Sequence, residues 1–359
     1  MIPNFEHIIN LPEIKKYFDL LKTTPQTEYY HGEGDTYVHT LMVLEEIQKF
    51  FPYLDEEEKE ISWWAALLHD IGKPQTSKIE DDGHVSARNH AKYGYHIALE
   101  ILENFDIPFT KKLHILNLIR HHGKTQNLEE KKDIDRIAIQ MSLNLSNKLL
   151  LMLGEADARG RICNDLDDML FNIEMFREAA ENTNCILQPY QFSSNIAKFN
   201  YLVKRTHHHS DSPYDDTKSK LYIMSGLMGT GKDYYITHNL KGIPVISLDD
   251  IREELKIKPT DEQGLVINTA KERTKIFLRK GEDVIWNATN VTGDMRKRLI
   301  EGFLPYNPYV KIIYINKPLK TILEQNRNRE RQVPENVILD FYRKLEIPSQ
   351  IEAHEVIFS

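Results

Sequence analysis

Two short runs concentrate residue types that do chemistry. The first is LLHDIGKP, residues 67–74, where a nearly apolar stretch ends in adjacent His69 and Asp70, with Lys73 one helical turn beyond. Buried charge is costly unless it is paired or bound to a metal, so this grouping points to a ligand set. His39, His90, His121, His122 and Asp157 stand on or beside separate predicted helices. A bundle can aim such side chains from several helices at one point. Imidazole suits transition metals, and a carboxylate can bridge two of them. Metal of this kind lowers the pKa of a bound water and clamps phosphate oxygens, which suits hydrolysis of a phosphomonoester or cyclic phosphodiester. Any one of the 15 histidines is more often a surface or hydrogen-bonded core residue than a ligand. Their order and surroundings carry the argument.

The second run is GLMGTGKD, residues 226–233, between a short apolar strand (221–225) and a helix. Gly226, Gly229, Thr230 and Gly231 would let backbone N–H groups converge on phosphate at the positive end of that helix. Lys232 would reach the β- and γ-phosphates of a nucleoside triphosphate. Asp233 stands where the phosphate-loop motif has Ser or Thr; it can ligate Mg²⁺, but its charge beside the phosphates requires the metal. Three later segments bear on the acceptor: SLDDIR (247–252), NATNVTGDMR (287–296) and RNRERQVP (327–334). The three consecutive histidines 207–209 sit in a polar stretch where neighbouring side chains diverge, so a metal role is disfavoured for them. A solvated helix face is preferred for Arg296 to Arg298.

The elements that must position these groups differ between the two halves. Helical spacing of apolar residues predicts helices over 36–51, 61–72, 91–105, 110–122, 133–158 and 165–182, with no convincing strand alternation. That half reads as all-α. Residues 205–219 are polar and aperiodic, a linker. After Lys220, apolar runs at 221–225, 245–248, 283–286 and 310–315 alternate with helical stretches, which implies an α/β unit with a mainly parallel sheet. The expected domains are 1–204, the linker 205–219, and 220–359.

With 359 residues, 41% hydrophobic and 28% charged, each half can bury a core, and disorder over the whole chain is excluded. Two cysteines exclude a disulfide framework. No 18-residue apolar run is present, and the first residues lack a signal-peptide core, so a soluble cytoplasmic protein is expected. The net charge of −8 divides into −11 before Lys220 and +3 from Lys220 onward. An acidic half suits cations, and the balance argues against a broad nucleic-acid-coating surface.

The segments EGDTYVHT, AALLHDIGKP, NHAKYG, IRHHG and GEADARGR together resemble the HD phosphohydrolase superfamily, and most of all the HD domain of bacterial CCA-adding enzymes, over about residues 28–165. That resemblance implies that His39, His69, Asp70 and Asp157 hold one metal. Asp70 then bridges to a second held by His90 with His121, His122 or both; one metal rather than two stays open. It implies that Lys73 faces the scissile phosphate. Arg159 and Arg161 are either phosphate-binding or structural. NHAKYG departs from the GHE common in the family.

From Lys220 to about residue 345 the chain resembles the phage-type polynucleotide 5′-kinases. By that likeness Asp249, preferred over Asp250, is the general base on the acceptor hydroxyl. Arg252 lies near the acceptor phosphate, Thr289 and Asn290 position the acceptor, and Arg327 and Arg331 clamp the ATP phosphates. Here Ala288 replaces the Asp often found before Thr-Asn, leaving Asn287 part of that role, and the lid arginines lie close to Val333-Pro334.

An HD phosphohydrolase followed by a P-loop polynucleotide kinase resembles the HD-Pnk family of bacterial end-healing enzymes. The implied activities are a metal-dependent 3′-phosphatase and 2′,3′-cyclic phosphodiesterase, and an NTP-dependent 5′-OH kinase. The implied cofactors are one or two divalent transition metal ions, and Mg²⁺ with ATP or another NTP. The implied partners are RNA or DNA ends and a ligase downstream, with no membrane; a homo-oligomer is left open. The rival readings are a small-molecule kinase fused to a nucleotide phosphohydrolase, and a P-loop switch regulated by a nucleotide-sensing HD module.

Overall fold

In the computed structural model the described residues are 2–27, 31–128, 133–328 and 332–359. The chain divides into two compact units, residues 1–190 and 191–359.

The first unit is helical: α1 (Phe5–Ile9), α2 (Pro12–Leu21), α3 (Thr36–Gln48), α4 (Glu56–Leu68), the short α5 (Lys73–Thr76), α6 (His90–Leu102), α7 (Phe109–His121), α8 (Ile134–Ser142), α9 (Asn147–Arg159) and α10 (Leu166–Asn182). A small antiparallel ribbon, β1 (Lys78–Ile79) with β2 (Val85–Ser86), lies between α5 and α6. Helix α4 starts at a capping box in which Asp55 and Glu58 each take the other's backbone N–H. From Ile61 to Leu68 every residue is buried, because α4 packs against α3, α7 and α9 at once. The helix expected over 133–158 is two helices. It breaks at 143–146, where Ser146 caps α9 through its side chain and donates its backbone N–H to His114 Nε2 at 2.8 Å.

The second unit is α11 (Asn195–Phe199), β3 (Lys220–Ser225), α12 (Lys232–Asn239), β4 (Val245–Ser247), α13 (Leu248–Leu255), α14 (Gly264–Lys280), β5 (Val284–Asn287), α15 (Gly293–Phe303), β6 (Tyr309–Tyr314), α16 (Leu319–Arg327), α17 (Glu335–Tyr342) and β7 (Glu355–Phe358). The strands form one parallel sheet in the order β4-β5-β3-β6-β7. Pleating sends Leu221 and Ile223 of the central strand into one core, with residues of α13, α14 and α15, and Tyr222 and Met224 into another, with Ile236 of α12. Because β3, β4 and β5 run parallel, the loops after them leave the same edge of the sheet, where α/β proteins bind ligands.

Residues 191–204 pack with this second unit, although the sequence reading runs the first domain to residue 204. Phe199 is buried in the sheet core and stacks on His354 at 3.7 Å between ring centroids.

Candidate functional site

In the helical unit, α3, the end of α4, the start of α6, the end of α7 and α9 bring His39, His69, Asp70, His90, His122 and Asp157 together. His39, His69 and Asp157 are fully buried and Asp70 nearly so. His39 Nε2 lies 3.1 Å from Asp157 Oδ1 and 3.3 Å from His69 Nε2. Asp70 Oδ2 is 3.2 Å from His69 Nε2, while Asp70 Oδ1 is 3.3 Å from His90 Nε2 and 3.8 Å from His122 Nε2. Asp70 therefore stands between two donor sets, His39–His69 and His90–His122, each with its own face of the carboxylate.

The tautomers can be deduced. The Nδ1 atoms of His69, His90 and His122 each lie 2.8 Å from a backbone carbonyl (Ala66, Ala87 and Ile119), and His39 Nδ1 lies 3.1 Å from that of Gly160. A carbonyl only accepts, so Nδ1 carries the hydrogen and the Nε2 lone pair points inward. His90 and His122 then face each other Nε2 to Nε2 at 3.1 Å, an arrangement that repels unless a cation or proton lies between. Asp70 Oδ1 is buried with no hydrogen-bond partner. Imidazole nitrogens held by carbonyls, and a carboxylate oxygen with an unshared lone pair, are the donors a transition metal takes. The residues fit one or two such ions.

The electrostatics of the cluster set burial against neighbouring charge. Burial opposes charge on Asp70, but Lys73 and His69 hold it well below the usual carboxylate range. Burial likewise opposes charge on Asp157, which Arg161 and His39 keep well below that range. Burial pulls His69 down, yet Asp70 and Asp157 lift it above its ordinary value. For His122 burial wins, taking the ring to about 3, and His90 is also lowered by burial. Lys73 Nζ sits 2.7 Å from Asp70 Oδ2 and 2.6 Å from Gln26 Oε1. A cleft of about 890 Å³ opens on the cluster, lined by Lys73, His31 and Arg161 together with Asp70, His90 and His122.

The structure separates the two adjacent histidines. His122 opens a 3-10 turn and packs against His69 and His90; the half-buried His121 lies outside the cluster, its Nδ1 without a hydrogen-bond partner. Arg161 bonds both oxygens of Asp157, at 2.8 and 2.9 Å, so it orients a ligand, while Arg159 is exposed and paired with Glu155. Glu33 and Gln126 escape the sequence reading. Glu33 bonds His31 Nδ1 at 2.7 Å and lies 3.2 Å from His39 Nδ1; Gln126 donates to Asp157 Oδ2 at 2.9 Å. The one local signal is that Glu33 and His31 sit just ahead of Asp35, which caps the helix bearing His39.

In the second unit, the loop between β3 and α12 has Gly226, Gly229 and Gly231 at φ of 136°, 85° and 97°, a region costly for other residues. A Cβ at Gly226 would also sit 2.8 Å from the carbonyl oxygen of Ile315. Thr230 Oγ1 donates to the Leu227 carbonyl at 2.9 Å, and Lys232 Nζ lies over the loop, donating to the carbonyls of Leu227 and Gly226 at 2.7 and 3.1 Å. Asp233 accepts from Asn287 Nδ2 at 2.7 Å, tying the helix start to the end of β5.

Asp249 and Asp250, just after β4, are both exposed. Asp249 is ion-paired with Arg252, whose Nε donates to Gln263 Oε1 at 2.7 Å. The Thr289 carbonyl accepts from Gly226 N at 2.9 Å. Asn290 has a positive φ of 43° and donates its amide to the Met224 carbonyl at 2.7 Å, so its side chain is spent on holding the loop to β3. Arg327 pairs with Glu335 at 2.8 Å, and Arg331 lies outside the described residues.

Arg296 is not on a solvated face. It is 1% exposed, bonds both oxygens of Glu352 at 2.6 and 2.9 Å, and donates to the carbonyls of Asn290 and Glu346. It faces inward on α15 while Arg298 faces out, 76% exposed.

These two geometries accord with comparisons to known proteins. Residues 36–153 match the HD domain family, and residues 221–348 match the AAA domain family. The chain carries an HD domain and a P-loop, kinase-like AAA domain. The helical unit is similar to the multifunctional CCA protein of Hahella chejuensis, 31% identical over 155 residues, which is 42% of this chain and 34% of that protein. It is likewise similar to those of Actinobacillus pleuropneumoniae serotype 5b (29% over 150 residues, 40% and 35%) and Vibrio cholerae (29% over 157 residues, 42% and 36%). The chain thus spans about a third of the length of these relatives. Both domains are of enzyme type, hydrolase and kinase. Among the described residues no helix is long and apolar enough to cross a membrane.

Proposed function

We propose that the chain is a cytoplasmic nucleic-acid end-healing enzyme of the HD-Pnk type. The helical unit removes 3′-phosphate, and opens and removes 2′,3′-cyclic phosphate. The α/β unit phosphorylates the 5′-hydroxyl. What carries the reading is the coexistence in one chain of an inward-facing His/Asp cluster opening on a cleft and a phosphate loop beside an exposed aspartate–arginine pair.

A divalent transition metal bound by His39, His69, Asp70, His90, His122 and Asp157 would supply Lewis acidity and an activated water. The chain does the rest. Carbonyls fix the ligand tautomers, and Arg161 and Gln126 hold Asp157. Lys73 presents a cation at the cleft, where the phosphate gains negative charge. In the α/β unit, the loop and Lys232 hold the NTP phosphates with Mg²⁺. Asp249 takes the proton of the 5′-hydroxyl as its oxygen bonds the γ-phosphorus and the bond to the nucleoside diphosphate breaks. Arg252 holds Asp249 in place and lies beside the acceptor. The products, 3′-OH and 5′-phosphate, are the ends a ligase joins.

The test is one RNA oligonucleotide with a 5′-OH and a 2′,3′-cyclic phosphate, incubated with ATP, Mg²⁺ and a panel of transition metals, both ends resolved by mass spectrometry. Both ends are expected to change. Asp70→Ala should abolish only the 3′ reaction, and Lys232→Ala only the 5′ reaction. Unchanged ends, with mononucleotides phosphorylated or hydrolysed instead, would replace this reading with nucleotide salvage.

A further inference from the structure

The phosphate loop carries a charge that disfavours a polyphosphate. Asp233 puts a carboxylate in the first turn of α12, where the motif has a neutral hydroxyl, and a polyphosphate bound there would meet it. Lys232 and a bound Mg²⁺ are all that the motif itself sets against it.

The offset comes from elsewhere in the fold. Lys317, three residues past the end of β6, extends over the loop. Its Nζ lies 3.9 Å from where a Cβ would stand on Gly231, the residue that caps α12. Its position is held by Gln325 of α16, whose Oε1 accepts from Nζ at 3.1 Å. Among the described residues no carboxylate lies within ion-pair distance of it. A helix N-terminus carries partial positive charge, which by itself disfavours an ammonium beside it. The placement becomes favourable when an anion occupies the loop. Lys232 is folded onto the carbonyls of Gly226 and Leu227, so the loop has two separate lysines, one from its own motif and one from beyond the adjacent strand β6.

We infer that Lys317 is a second phosphate-binding residue of this site, contacting the polyphosphate of a nucleoside triphosphate and compensating Asp233. The inference rests on reading the loop as a nucleotide site. It also gives α16, which carries Arg327, a link to the bound phosphates through Gln325.

The experiment is titration of the full-length protein with a fluorescent N-methylanthraniloyl ATP in Mg²⁺, for wild type, Lys317→Ala, Lys317→Arg and Lys317→Ala with Asp233→Ser. Losing one charge-assisted contact should weaken binding roughly tenfold in Lys317→Ala. Lys317→Arg should restore most of it, and the penalty should shrink when Asp233 is Ser. In steady state the KM for ATP should rise while kcat stays within about twofold, as expected when uniform binding is removed. The 3′ reaction and the thermal midpoint serve as controls for folding. Unaltered affinity in a folded Lys317→Ala protein overturns the inference and leaves the end-healing reading standing. Tight nucleotide binding without 5′-kinase activity on RNA would do the reverse.

Discussion

Gly72→Ala adds one methyl group and should disable the metal centre. A Cβ there would lie 2.2 Å from the carbonyl oxygen of His90, 2.4 Å from the amide nitrogen of Gly94 and 3.0 Å from its Cα. All three are backbone atoms of α6, so no side chain can turn aside. Gly72 has a φ of −88°, which alanine adopts freely, so the conflict is steric alone. Relieving it requires α6 to retreat by about 1 Å, and His90 is the first residue of that helix. His90 Nε2 stands 3.3 Å from Asp70 Oδ1 and 3.1 Å from His122 Nε2, and metal–ligand distances tolerate only about 0.2 Å. A misplacement of that size costs roughly 100-fold in rate, and overpacking costs about 1–3 kcal/mol of stability. The assay is the rate of 3′-phosphate release with metal content measured after dialysis, and 5′ phosphorylation as the internal control. The 3′ rate should fall about 100-fold with the 5′ rate within about twofold. A cooperatively folded Gly72→Ala protein that keeps its metal and its full 3′ rate would show that the contact between α5 and α6 does not set the ligand geometry.

Three further outcomes are expected. Asp249→Asn should cost the 5′ reaction about 100-fold or more while Asp250→Asn stays within a few fold; equal losses measured on an oligonucleotide acceptor would remove the assignment of Asp249 as the base. Arg296→Met should destabilise the α/β unit by about 3–5 kcal/mol in urea denaturation, because Glu352, the buried Asn290 carbonyl and the part-buried Glu346 carbonyl lose their partner; a change below about 1 kcal/mol would contradict its structural role. Acid should destabilise both units through two imidazoles that accept backbone N–H groups, the half-buried His114 from Ser146 and the buried His354 from Val310. Burial lowers His114 to about 4 and His354 to about 3, so the unfolded chain binds more protons below about pH 6.5. Their contribution is complete above that pH and is lost as pH falls toward the folded values, on the order of 2 kcal/mol each by pH 5. A denaturation midpoint that is flat between pH 7 and pH 5 would refute it.

Chemistry that is contiguous along the chain is legible in the amino-acid sequence alone. The phosphate loop occupies residues 226–233 without interruption, and its glycines are needed for backbone reasons that any sequence shows. Strands β3 to β6 are legible because each is an apolar run between turn residues. Arg296 is not: its partners Glu346 and Glu352 lie 50 and 56 residues away, and a basic residue on an amphipathic helix reads as solvated until its inward face is known. Asn290 likewise reads as an acceptor ligand by position, while the structure spends its amide on Met224. The short β7 and the approach of Gly72 to Gly94 depend on pairing across the fold, which periodicity does not encode. The choice between His121 and His122 stays open in the sequence for a narrower reason: α7 gives way to a 3-10 turn there, and only the turn directs His122 at Asp70.

The metal centre nevertheless contains a local rule that explains how separate helices can agree on one site. His69, His90 and His122 each bond through Nδ1 to the carbonyl three residues earlier in their own segment. Each sits at a helix boundary: His69 caps the end of α4, His90 opens α6, and His122 follows α7. There a back-bond fixes both the tautomer and the ring plane without help from another helix. Packing then has only to set where each boundary lies, not how each ring is turned. His39 is the exception, being interior to α3, and it takes its carbonyl from Gly160 beyond the end of α9. A Cβ on Gly160 would stand 2.7 Å from Cγ2 of Val43, on α3 itself, so the helix that cannot orient its histidine locally is the one pressed against a glycine that can. Three rings are thus set by local sequence and one by tertiary contact, which makes Gly160, with Gly72, a point where the fold and the chemistry are the same constraint.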